Sequence, residues 1–148
     1  MDRLLLLVVV ASVAGTLAHL VQRRRPDAPV RTGWSVPQQL DRQDFDRPDA
    51  PWLVAVFTSA RCETCSSVVE VASPLESEAV AFHEVEAGAR KDLHDRYAVE
   101  AVPMVLLVDA VGVVRSHHLG PVSATHLWGS LAELRQPGCT PDGCSAGD

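Results

Sequence analysis

Blocks of apolar residues divide this chain cleanly, and each block is short enough to name an element. Residues 4–21, LLLLVVVASVAGTLAHLV, carry no formal charge. A bilayer core takes about 20 apolar residues as a helix, so this run sits at the short end of a spanning segment. Residues 52–57, WLVAVF, form the second unbroken block. Short and rich in strand formers, it reads as a strand covered on both faces, the kind found at the centre of a parallel sheet. The stretch after Cys65, SSVVEVA, spaces its apolar residues as a helix does. Residues 79–86 carry the β-preferring content of a second strand. A helix is predicted over 89–97, opened by Gly88, with Leu93 and Tyr97 four apart on one face. MVLLV at 104–108 is another fully apolar strand, and Asp109-Ala110-Val111-Gly112 a hairpin turn with glycine supplying the positive φ. Residues 113–119 return as a mixed, less covered strand. Ser123 caps a last amphipathic helix through Leu127, Leu131 and Leu134.

Between these blocks the chain is punctuated by proline. Residues 22–32 are rich in Arg and Pro, and Pro26 and Pro29 stop any helix from continuing out of the apolar run. Residues 33–36 fit either an edge strand or a single docking residue. Pro37-Gln38-Gln39-Leu40 predicts a helix start with proline at an early position. Residues 47–51, RPDAP, lead into the first strand as a turn, and Pro74 breaks or kinks the helix after Cys65. No internal repeat is present. The expected organisation is a membrane anchor at 1–22, a juxtamembrane linker at 23–36, a folded domain at 37–136 and a flexible cysteine-containing tail at 137–148.

Charge sets the expected orientation of the anchor. Arg23-Arg24-Arg25 and Arg31 follow the apolar run, whereas Arg3 and the α-amine precede it, offset by Asp2. Positive flanks stay cytoplasmic, which predicts a single-pass protein of the cell membrane with its domain in the cytoplasm; an extracytoplasmic domain is the alternative. The arginines can also rest on anionic headgroups. A cleaved export signal is the rival reading of the run, with Ser12-Val13-Ala14 or Thr16-Leu17-Ala18 as the small-residue site.

The 148 residues carry a net charge of −6, which offers no basic face for nucleic acid. Four cysteines are too few for a disulfide scaffold at this length, and they fall into two close pairs, Cys62/Cys65 and Cys139/Cys144. The first pair stands where a buried strand gives way to a helix, a redox signal with a physical basis. Backbone N–H groups at the helix start point at Cys62, and the macrodipole favours its thiolate. Cys65, one turn on, is near enough to close a disulfide. The duller reading is an inert or zinc-bound pair, for which the second pair, spaced Cys-x4-Cys in a loose tail, is a poor complement. His117 and His118 point to opposite faces of a strand, and His83, His94 and His126 are isolated. Without a phosphate loop, a hydrolytic acid pair or a Ser/His/Asp set, no cofactor and no metal are expected.

Strand, Cys-x-x-Cys helix, strand, helix, proline, strand, hairpin, strand and helix follow in an order that resembles the thioredoxin superfamily across residues 52–134. Three matches carry the resemblance: Cys62/Cys65, Val102-Pro103 ahead of an apolar strand, and Asp109–Gly112 followed by a strand ending at Gly120. It implies a thioredoxin-like α/β fold, a central mixed β-sheet flanked by helices, here preceded by one transmembrane helix. It also implies that Pro103 is cis and faces the cysteines, and that Cys62 attacks a substrate disulfide which Cys65 then resolves. The backbone of Val102 would pair with an extended substrate segment. Arg61 is either a substrate contact or a solvated loop charge. Cys139/Cys144 are an auxiliary redox pair or two exposed thiols. The implied partners are protein disulfides or dithiols, a thiol reductant or reductase as electron source, and the membrane; a binding module without turnover is the alternative. This chain departs from the family in three places near the cysteines. Arg61 replaces a usual Trp, Glu63-Thr64 replaces Gly-Pro, and Val56 stands where the family buries an Asp. Glu84, Glu86 or water would then have to take the proton of the resolving thiol. Pro74 also falls later than the family's helix-kinking proline.

Overall fold

The two fully apolar blocks are the two central strands of a four-stranded sheet. The computed structural model describes residues 33–138, so the apolar run, most of the linker, Cys139 and Cys144 lie outside the described residues. Strands β1 (Trp52–Thr58), β2 (Val80–Glu86), β3 (Met104–Asp109) and β4 (Val114–Leu119) are ordered β2-β1-β3-β4. β2 runs parallel to β1, whereas β3 pairs antiparallel with both β1 and β4. Covered on both faces, β1 and β3 are buried almost throughout, while the edge strand β4 alternates between half-buried and exposed. That is the difference in hydrophobic pattern read from the sequence.

Helices α1 (Cys65–Ala72), α2 (Lys91–Arg96) and α3 (Ala124–Arg135) complete the element set. Side chains alternate along each strand, so the sheet feeds two cores. Leu53, Ala55, Phe57, Met104 and Leu106 pack with Leu40, Phe45 and Leu93 on one face. Val54, Val56, Val105 and Leu107 pack with Val68 and Ala72 of α1 and Leu127 and Leu131 of α3 on the other. α1 ends at Ala72 and passes into a 3-10 turn at Ser73–Leu75, which contains Pro74, the expected break. Ser123 caps α3 by accepting from the His126 amide at 3.3 Å. Among the described residues no helix is long and apolar enough to cross a membrane.

The hairpin is built as its residues require. Gly112 has φ +85°, and a Cβ there would lie 2.0 Å from the Leu40 carbonyl oxygen. Asp109 Oδ1 accepts from the amides of Val111 and Val113, and its Oδ2 pairs with Arg115 Nε at 2.7 Å.

One predicted helix start is wrong. Pro37 to Leu40 is extended: Gln39 bridges to Val113, the Val114 amide donates to Gln38 O, and the Leu40 amide donates to Gly112 O at 2.8 Å. Tertiary pairing with the hairpin, together with complete burial of Leu40, overrides the local preference. A single 3-10 turn, Arg42–Asp44, follows instead, capped by Asp41. Its Arg42 is buried and donates to the carbonyls of Asp109 at 2.8 Å, Ala50 at 3.0 Å and Arg47 at 3.4 Å. Burial pulls its pKa below the ordinary arginine value, against the pull of Asp109 and Asp49. Residues 33–36 form no strand, and the helix predicted over 89–97 shortens to Lys91–Arg96.

Candidate functional site

β1 delivers the chain to the loop 59–64, which opens α1. Within this loop the Cys62 amide donates to Ser59 O at 2.9 Å and the Cys65 amide to Cys62 O at 3.4 Å. Cys62 and Cys65 are joined in a disulfide, with Cα atoms 5.4 Å apart. Cys65 is buried, at 4 % exposure, whereas Cys62 is partly exposed. The sequence places Cys62 at the helix start; the structure places it in the turn ahead, with Thr64 as N-cap and Cys65 as the first helical residue. An attacking group from solvent therefore meets Cys62 first. Thr64 Oγ1 lies 3.8 Å from Cys62 Sγ. Arg61 and Glu63 flank the exposed sulfur, and both are exposed to solvent.

Two glutamates on β2 bond the chain around this loop, Glu84 at the end of β1 and Glu86 in the loop itself. In register, Glu84 lies beside Val56 and Glu86 beside Thr58, on the sheet face that α1 covers. The buried Thr58 hydroxyl donates to Glu84 Oε1 at 2.8 Å. Glu86 Oε1 accepts from the Ala60 amide at 3.0 Å, and its Oε2 accepts from the amides of Gly88 and Ala89 at 2.8 and 2.9 Å. Those backbone donors, Gly88 first, hold its carboxyl below the usual glutamate range. Neither glutamate hydrogen-bonds a cysteine among the described residues. Glu86 is thus a clamp between the cysteine loop and the β2–α2 loop, a role with no local sequence signal.

The clamp has a pH signature. A depressed folded-state pKa stabilises the fold fully above the unfolded glutamate value, and that contribution is lost as pH falls through the folded value. Glu86→Gln has a single acceptor oxygen and keeps only part of the set. The gap in unfolding midpoint between wild type and variant is expected to be largest near neutrality and to shrink on acidification. Urea titrations across that range check it, and a gap independent of pH would contradict the clamp.

Val102-Pro103 is a cis peptide. Met104 pairs with Phe57, so Pro103 stands at the end of the sheet where β1 enters the cysteine loop. The Pro103 carbonyl accepts from the Gly120 amide at 2.8 Å, but the Val102 amide and carbonyl have no partner among the described residues. The Arg61 side chain makes no ion pair among them either. The histidines do not converge: His83 meets Asp46 at 2.8 Å, His94 meets the Val85 carbonyl at 2.9 Å, and His117 and His118 take opposite faces of β4.

A sheet of this order, with a disulfide closing at the first turn of the helix after its central strand and a cis-proline at the same end, defines a thioredoxin-fold protein. Solved structures agree. A mutant thioredoxin from Halobacterium salinarum superposes with TM-score 0.53 and 21% identity, covering 69% of this chain and 95% of that one. A malarial protein matches with TM-score 0.51 and 16% identity over 58% of this chain and 98% of that one. A chain from a structure on thiol resolution in a yeast mitochondrial 1-Cys peroxiredoxin via glutathione/thioredoxin systems matches with TM-score 0.50 and 17% identity, over 58% of this chain and 81% of that one. No protein-family model and no curated protein matches the sequence.

Proposed function

We propose that this chain is a thiol–disulfide oxidoreductase acting on protein disulfides near a membrane. The observation that carries the reading is the Cys62–Cys65 disulfide, with one sulfur open to solvent and the other buried at the helix start. In the reduced form the Cys62 thiolate attacks a substrate disulfide, making a mixed disulfide and releasing one substrate thiolate. Cys65, as thiolate, attacks Cys62 Sγ, closing the cystine and releasing the second substrate thiolate. The substrate gains two electrons and the chain loses two, which an external thiol reductant or a reductase returns. The backbone of Val102, unpaired among the described residues, supports docking of an extended substrate segment beside the cysteines, as a strand edge does. Arg61, exposed next to Cys62, favours acidic or carbonyl-rich substrate surfaces. With its apolar run as a membrane anchor and its arginines cytoplasmic, the domain works where thiols are kept reduced, which favours reduction over oxidation.

The test is redox cycling of the full chain in a graded series of reduced and oxidised glutathione, read by alkylation and peptide mass. The expected result is a two-electron transition of Cys62 and Cys65 together. A pair that stays in one state across the series would remove the enzymatic reading while leaving the fold.

A further inference from the structure

Thr64 occupies the N-cap of α1, where a threonine ordinarily accepts from an amide in the first helical turn. It makes no such bond. Ser123, at the corresponding place on α3, does cap, from an extended conformation with φ −82° and ψ 154°. Thr64 is already helical, with φ −95° and ψ −7°, which turns its hydroxyl away from the first-turn amides. Its carbonyl is engaged by the Val68 amide at 3.3 Å and by Ser67 Oγ at 2.8 Å. The hydroxyl instead faces Cys62 Sγ at 3.8 Å.

A disulfide sulfur is a poor acceptor, so the contact does little in the oxidised chain. Against a thiolate, the same placement becomes a charge-assisted hydrogen bond. We infer that Thr64 donates its hydroxyl hydrogen to the Cys62 thiolate once the pair is reduced, and so sets the acidity of the attacking sulfur. The inference rests on the thiol–disulfide reading above and names what tunes its reactive atom. Other charged groups near Cys62 are poorly placed to do this. Arg61 and Glu63 share its loop, oppose one another and face solvent. Glu86 is held by three amides. The Val102-Pro103 turn at that end of the sheet carries no charge, and Glu100 before it is exposed.

Thr64→Val keeps the shape and removes the donor, while Thr64→Ser keeps the donor. In the reduced full chain, the pH profile of Cys62 alkylation by iodoacetamide, followed on its own peptide, reports the thiolate. The midpoint is expected to rise by about one pH unit in Thr64→Val and to stay near wild type in Thr64→Ser, since a hydrogen bond to a charged group is worth that much. The unfolding midpoint of Thr64→Val should be unchanged, because no cap is lost. A wild-type alkylation profile in Thr64→Val overturns the inference, as does a loss of stability with the profile unmoved, which would make Thr64 a helix cap. Failure of the wild-type pair to cycle in glutathione sinks the redox reading instead, and the alkylation midpoints still judge Thr64 separately.

Discussion

Cys62→Ser should reduce turnover on a protein disulfide by on the order of a thousandfold or more, to the rate of the added reductant alone, because removing a nucleophile leaves nothing to start the exchange. Cys65→Ser should behave differently. Its Cys62 still attacks, but with no resolving sulfur the reaction halts at the mixed disulfide. This split follows from the burial of the two sulfurs: Cys65 is 4 % exposed inside the first helical turn and has access to Cys62, while Cys62 has access to solvent. Insulin reduction measures the first variant. Expression of the second in cells, with adducts released by reductant and identified by mass, measures the other. Cytoplasmic adducts support the orientation proposed from the arginine asymmetry; exported proteins among the adducts would reverse it. Equal turnover by Cys65→Ser and wild type, with no adducts, would assign the chemistry to another thiol.

Much of the scaffold was legible because its signals are local. WLVAVF and MVLLV are apolar on both faces, and only a central strand needs that. Asp109 and Gly112 announce the hairpin through the turn geometry that their side chains permit, and Ser123 announces α3 through its cap. Pro37 to Leu40 was not legible, since the hydrogen bonds that hold it extended come from a hairpin more than seventy residues away in sequence. Arg42 hides for a similar reason: the carbonyl it meets at 2.8 Å, that of Asp109, is 67 residues away in sequence, although its other two partners, Arg47 and Ala50, are near. At the site, the Cys-x-x-Cys spacing shows the pair, whereas the exposure of Cys62 over Cys65 comes from the fold. The sequence could not show that Cys62 precedes the helix, because the boundary depends on the conformation of Thr64. Its place on the next strand makes Glu86 a candidate proton acceptor, but what decides its role is the three amides that converge on it from two loops.

Val56→Asp restores the carboxylate that the thioredoxin resemblance places here, and it should cost about 3–5 kcal/mol of stability at neutral pH. Val56 is fully buried in the core formed with Val54, Val68, Val105 and Leu127, which offers a carboxylate no donor. Across the sheet at this level the residues run Glu84, Val56, Val105, His118, all on the face beneath α1 and α3. Glu84 is one strand spacing away, about 4.8 Å, and its like charge would push the new carboxyl further up. His118 is two spacings away on the other side, and burial, followed by the charges of His117 and His126, lowers its own pKa, so it is a weak partner. An aspartate whose folded pKa is raised binds its proton more tightly folded than unfolded. Stability is therefore lost as pH rises from the unfolded aspartate value, about 3.9, towards the folded value, at roughly 1.4 kcal/mol per unit. The deficit against wild type should be small in acid and large near neutrality, the same sense as for Glu86→Gln but with a different origin: there the wild type loses stability in acid, here the variant loses it towards neutrality. Urea unfolding at both ends of the range measures it. A variant as stable as wild type at neutral pH would mean that water or a cation reaches residue 56, and the apolar core assigned around Val56 would be wrong.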